Sequence, residues 1–168
     1  MRNQYVLYYV EGEDEEKLLN TLKSEMGLIK TGKIQRLNVV ERKIPAAHFL
    51  SFHPNTIVVL VFDTDTGKIN ALKENIEKLK KCSAVSKVIT IPQVRNLEEE
   101  LIRSCDIRRI KELLDSRTDT EFKSDIIRAK NLHRKLKEHK FNMELFWNST
   151  PNCPYDCIEN LARNIKIK

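Results

Sequence analysis

Glycine is scarce in this chain, with only four among 168 residues, and the four do not gather. There is no glycine-rich loop to cradle phosphate, no Gly-x-Ser-x-Gly elbow and no dinucleotide fingerprint. The chain therefore carries no ATP motif of its own. Long apolar runs are missing too. No stretch approaches the length of a membrane span, so no membrane partner is expected. Met1-Arg2-Asn3-Gln4 leads straight into a short apolar run. That start has no signal-peptide character, and a cytoplasmic location is expected. The four cysteines, Cys82, Cys105, Cys153 and Cys157, are not spaced as a disulfide framework, and reduced thiols are the default in the cytosol. Cys153-x-x-x-Cys157 lacks the second pair that a zinc site needs. Internal repeats and low-complexity linkers are absent.

What remains is a chain 40% apolar and 32% charged, long enough to bury a core without covalent staples. Its net charge of +6 favours a polyanionic partner such as nucleic acid.

The most telling stretch is Ile57-Val58-Val59-Leu60-Val61-Phe62. Six apolar residues in a row, mostly β-branched, read as a strand buried on both faces. Tyr5 to Val10 reads as another strand, ending at Glu11-Gly12. The acidic run Glu13 to Glu16 then suits a helix N-terminus, with Leu18, Leu19, Leu22 and Met26 at core spacing and a stop near Gly27. A strand is expected over Ile34 to Val40, and one or two helical turns between Pro45 and Pro54. A helix follows from about Lys68 to Lys81, then a strand from Val85 to Ile91, closed by Pro92. This β-α-β-β-α-β order implies parallel pairing. Asn96 caps a further helix through Leu101 and Cys105. Residues 106–168 read as a basic helical extension. It carries seven Lys or Arg between Lys123 and Lys140, and a short last helix through Ile158, Leu161 and Ile165.

Three acids stand at expected strand ends: Glu11, Asp63 and Asp65. In open α/β sheets, ligands sit at the carboxyl ends of the strands. Carboxylates converging there are hard oxygen ligands for Mg²⁺ or Mn²⁺. In the basic segment, Lys123, Arg128, Lys130, Arg134, Lys135 and Lys137 could follow a nucleic-acid backbone by displacing counterions. Phe146 and Trp147 read as core residues.

Val10-Glu11-Gly12 after a first strand, with Asp63-x-Asp65 after a later one, resembles the toprim domain. That domain is shared by topoisomerases, bacterial primases, recombination proteins and a set of nucleases. The resemblance covers about residues 4 to 105 and implies a compact parallel four-stranded sheet flanked by helices. A toprim-like domain over 1–105 would then carry residues 106–168 packed on it. Topoisomerase and primase activities need further elements for which this chain has no room. In toprim nucleases resembling the OLD family and related phage-defence proteins, another acid follows the fourth strand on a helix. Here that helix reads Leu97-Glu98-Glu99-Glu100-Leu101. At about 100° per residue, Leu97, Leu101, Ile102 and Cys105 define one apolar face. Glu98 falls within that face, while Glu99 and Glu100 point away. Glu98 is therefore the expected extra acid.

The resemblance implies a nuclease using Mg²⁺ or Mn²⁺ on the phosphodiester bonds of DNA or RNA. Glu11 would serve as metal ligand or general acid/base, and Asp63, Asp65 and Glu98 as metal ligands. Lys123 would stabilise the transition state, with Lys130 close behind it. Small nucleases of this kind often work beside a separately encoded ATPase, and such a partner is expected on that ground. Two alternatives stay open. One is an RNA-processing enzyme similar to the ribonuclease that matures 5S rRNA. The other is a non-catalytic toprim-like module that binds metal or nucleic acid to regulate a partner. The sequence is compatible with an oligomer.

Overall fold

A computed structural model describes residues 4–167. The four strands are β1 (Tyr5–Val10), β2 (Lys33–Arg36), β3 (Thr56–Asp63) and β4 (Val85–Gln93). They form one all-parallel sheet in the order β2-β1-β3-β4, flanked by helices as the sequence implies. The chain leaves β1 toward β2 on one side and later returns on the other side through β3. The crevice between β1 and β3 is thus the topological switch point, where α/β sheets place ligands.

Alternation along the strands divides the apolar side chains between two faces. Tyr8, Val10, Val59, Val61, Ile89 and Ile91 face one layer. That layer contains α1 (Glu13–Asn20, continued by a wider turn over Thr21–Glu25), α4 (Leu97–Ser104) and α5 (Phe122–Arg128). Tyr9, Val58, Leu60 and Phe62 face the other, with α3 (Asn70–Lys81) and the turn around Val39 and Val40. Every residue from Thr56 to Phe62 is buried, as expected of a central strand covered on both sides. Residues from both sides of position 105 share the first apolar cluster, among them Leu18, Phe122, Leu136 and Trp147.

Several boundaries differ from the sequence expectation. β2 stops at Arg36 rather than Val40. The Asn38 side chain accepts from the N–H of Val40 (3.1 Å) and of Glu41 (3.3 Å) and turns the chain. The fully buried Asn75 of α3 then satisfies the loop. It accepts from Ile44 N–H (2.8 Å) and donates to the carbonyls of Val39 and Arg42 (both 2.9 Å). β4 runs through Pro92 to Gln93, with Pro92 opposite Phe62. A proline is tolerated because β4 is an edge strand.

The basic stretch over 123–140 is built as two short helices. α5 ends where Ala129 turns extended, and α6 spans Leu132–Glu138. In place of a last helix through Ile158 and Ile165 there are single tight turns at Tyr155–Cys157 and Ala162–Asn164. There the backbone bonds to the body of the protein instead. Leu161 N–H donates to Thr90 O (2.8 Å), and the Thr90 hydroxyl donates to Glu159 O (2.6 Å). The remaining helix, α2 (Ala46–Leu50), lies where the prolines suggest. Among the described residues no helix is long and apolar enough to cross a membrane.

Replacing Asn75 by leucine keeps the volume but strands one buried N–H and two carbonyls, at about 1–3 kcal/mol each. Urea unfolding of Asn75→Leu is expected to show a loss of at least about 2 kcal/mol. An unchanged midpoint would contradict the buried clamp.

Candidate metal centre

Glu11 leaves the end of β1 in an exposed position, and Gly12 turns the chain into α1. Glu15, on the first turn of α1, reaches back so that its Oε2 accepts the Gly12 N–H at 2.6 Å. This is one half of a capping box. It also aims a buried carboxylate at the strand ends. Asp63 closes β3. One oxygen from each of Glu11, Glu15 and Asp63 lies within 4.8 Å of the other two. The cluster occupies the crevice between β1 and β3.

Gln93, opposite Asp63 in the β3–β4 pairing, holds the cluster together. Its amide nitrogen donates to Asp63 Oδ1 (2.7 Å) and to Glu15 Oε1 (3.0 Å). Its oxygen accepts from the indole N–H of Trp147 (3.2 Å). Indole nitrogen only donates, so the amide can take no other orientation. Trp147 sits at φ 57°, in the left-handed region that bulky side chains rarely occupy. Besides the indole bond, its N–H donates to Glu100 Oε2 (3.1 Å) and its carbonyl accepts from Asn160 (3.0 Å).

The electrostatics follow from crowding like charges out of water. Burial, and then the charge of Asp14, push Glu15 up to about 8, although the Gly12 and Gln93 hydrogen bonds pull the other way. Burial, followed by the charge of Glu15, pushes Asp63 up to about 9. Glu11 is raised as well, by burial and by Asp65, with Lys123 opposing. Three carboxyls so placed either share protons or take a cation.

The other candidate residues divide. Asp65 is exposed and outside the three-carboxylate cluster, adding only its charge to Glu11 and Asp63. Thr64 fixes that turn: its N–H donates to Arg95 O (3.0 Å), and its hydroxyl donates to Gln93 O (3.0 Å). Glu98 also lies outside the cluster. Its carboxylate pairs with Lys123 Nζ at 3.6 Å. The acid that α4 buries is Glu100, fully inaccessible, which accepts from Val94 N–H (2.9 Å), Trp147 N–H and Arg103 (2.9 Å). The buried face of α4 is Leu97, Glu100, Leu101 and Ser104. Ile102 and Cys105 lie on its flank, so the inward direction is displaced from the expected one by about a fifth of a turn, away from Glu98 and toward Glu100.

Lys123, on the first turn of α5, pairs with Glu98 and acts on the cluster through its charge. Burial works against its charge, but Glu98, Asp14 and Asp63 outweigh that and hold its pKa above the usual lysine value. Of the basic candidates, Arg128, Lys130 and Lys137 are exposed. Lys135 is committed internally, to Asp115 at 2.7 Å and Glu138 at 3.7 Å, and Arg134 pairs with Glu138 at 3.7 Å. Glu15 and Gln93 were not among the sequence candidates. The N-cap to N3 spacing of Gly12 and Glu15, which turns the Glu15 carboxylate back toward the end of β1, is a usable signal for the first. Gln93 was hidden behind the assumption that Pro92 ends the strand. Comparison with family models, curated proteins and solved structures finds no match to this chain.

These shifts set a pH dependence. Unfolded, such carboxyls titrate near about 4; folded, Glu15 and Asp63 keep protons up to about 8 and 9. Between those limits the folded state binds more protons, so its stability declines as pH rises. Without divalent cations, Tm is expected to fall from the acid to the alkaline side of this window, and Glu15→Gln is expected to flatten the decline. A Tm that rises steadily across it would refute the crowded cluster.

Proposed function

We propose that this chain is a toprim-type, divalent-metal-dependent nuclease acting on DNA or RNA. The observation that carries the reading is the convergence of Glu11, Glu15 and Asp63 at the switch point of a parallel sheet, with Lys123 beside them. The donor set fits a small hard cation. Hydrogen bonds already engage both Glu15 oxygens and Asp63 Oδ1, leaving Asp63 Oδ2 and the Glu11 carboxylate unengaged among the described residues. Few open protein oxygens suit Mg²⁺ or Mn²⁺, which keep several waters, better than Ca²⁺, which takes about six to eight oxygens. Glu11, Glu15 and Asp63 would hold the ion, and Asp65 is left as a bystander charge.

When bound, such an ion lowers the pKa of a water and neutralises charge on a phosphoryl oxygen. The remaining work falls to the chain. Glu11, the most exposed of the three acids, is the group able to take or return a proton at solvent. Lys123 offers its ammonium to the negative charge that builds up at phosphorus. Gln93 keeps Glu15 and Asp63 together while they lack a cation. A separately encoded ATPase is the partner this reading implies.

The test is cleavage of plasmid, single-stranded DNA and structured RNA with Mg²⁺ or Mn²⁺. Glu11→Gln, Glu15→Gln and Asp63→Asn are each expected to lower the rate by about 100-fold or more. Asp65→Asn should cost less than about tenfold, since it alters only a neighbouring charge. If Asp65→Asn costs more than Glu15→Gln, the assigned ligand set is wrong. Absence of cleavage with every metal and substrate sinks the nuclease, and retained nucleic-acid binding would then favour the regulatory module.

Metal binding has its own readout. Saturating Mg²⁺ or Mn²⁺ is expected to raise Tm by about 5–10 °C. The gain should be larger at pH 8 than at pH 6, because protons compete for the same oxygens. Asp63→Asn should abolish it, and a metal effect that survives that substitution would place the ion elsewhere.

A further inference from the structure

A cleft of about 410 Å³ opens between the start of α4 and the first turn of α5. Glu98 and Lys123 line it, and the same lysine acts on the acid cluster. We propose that this cleft receives one nucleotide of a single-stranded nucleic acid, next to the phosphate held at the cluster. The proposal rests on the nuclease reading for its location, but its binding residues are separate ones.

The cleft carries cations and acids in mixture, and pairing decides what is left over. Arg109 is held by Asp119 at 2.6 Å and Lys123 pairs with Glu98, while Arg103 serves Glu100 at 2.9 Å and stands 4.0 Å from Glu99. Among the described residues Arg108 has no ionic partner. Its backbone N–H is anchored on Glu112 Oε2 (3.0 Å), so the loop is fixed while the guanidinium stays at the surface. Among the cations of the lining, Arg108 thus offers an unpaired, always-charged fork, the geometry that suits phosphate.

Ile102 and Ile110 add apolar surface to the lining, against which a base can rest. Asn96 uses its oxygen to cap α4, accepting from Glu99 N–H at 3.0 Å. Its amide N–H groups remain for a base edge or sugar. Apolar wall, amide donor and free guanidinium are the complement of a nucleotide. The volume lies at the small end of ligand pockets, roughly 300–1,000 Å³. It has room for one splayed-out unit, which a single strand presents more readily than a duplex.

The experiment is fluorescence anisotropy with short labelled single strands of DNA and of RNA, and with duplexes of the same sequence. It is done in the Asp63→Asn background so that cleavage does not interfere. At least one of the two single strands is expected to bind more tightly than its duplex. Arg108→Glu removes the free charge, and Thr120→Trp fills the cleft from an exposed position. Each is expected to weaken single-strand binding by about tenfold. Lys80→Glu makes the same charge change on α3, behind the sheet, and should have little effect. Equal binding of strand and duplex, no binding at all, or equal losses from Arg108→Glu and Lys80→Glu would overturn the proposal. Failure of the cleft leaves Asp63-dependent cleavage untouched. Failure of the nuclease reading leaves Arg108-dependent binding intact.

Discussion

Two carboxyl groups that repel each other when ionised are held side by side by one amide. Gln93 spends both N–H groups on Glu15 and Asp63, and the whole edge of the sheet is arranged so that it can. β4 must pass Pro92 to bring Gln93 level with Asp63. Trp147 must adopt an unfavourable backbone angle to orient the amide from behind. Glu100 must be taken out of water to hold Trp147. A left-handed bulky residue costs on the order of 1–3 kcal/mol. A fully buried carboxylate is tolerated only with its lone pairs filled, and here two backbone N–H groups and Arg103 fill them.

This arrangement separates two roles that acidic residues are often given together. The acids in the crevice are crowded, raised in pKa and short of a counter-charge. Glu100, only a few residues from Glu98, is more deeply buried than any of them yet fully partnered, and it is part of the scaffold. Burial alone would have selected the wrong residue. What distinguishes the crevice is unmet electrostatic demand, together with open oxygens on Glu11 and Asp63.

The sheet was legible because its signals are local and strong. The run from Ile57 to Phe62 cannot be solvated, and Glu11 and Asp63 follow from where apolar residues stop. The rest depends on distant partners. β2 ends early because Asn75, far along the chain, draws the loop away from the ladder. Glu15 looked like one acid in a run suited to a helix dipole, and only its bond to Gly12 and the approach of Asp63 give it a second role. The apolar spacing of Ile102 and Cys105 points to Glu98, whereas packing against Trp147 rotates the buried face of α4 toward Glu100. The basic run from Lys123 to Lys140 hides a break, because charge count carries no information about the extended turn at Ala129.

The C-terminal residues lie along β4, with Leu161 and Glu159 bonded to Thr90 and Asn160 bracing Trp147. During synthesis, Glu11, Glu15, Asp63 and Gln93 all leave the ribosome while this segment is still unmade. A nascent chain therefore holds every acid of the crevice before it holds the brace that orients Gln93. The site can take its final shape only once residues 147–161 are in place, so a product truncated before them would carry the acids in the right order without the means to aim them.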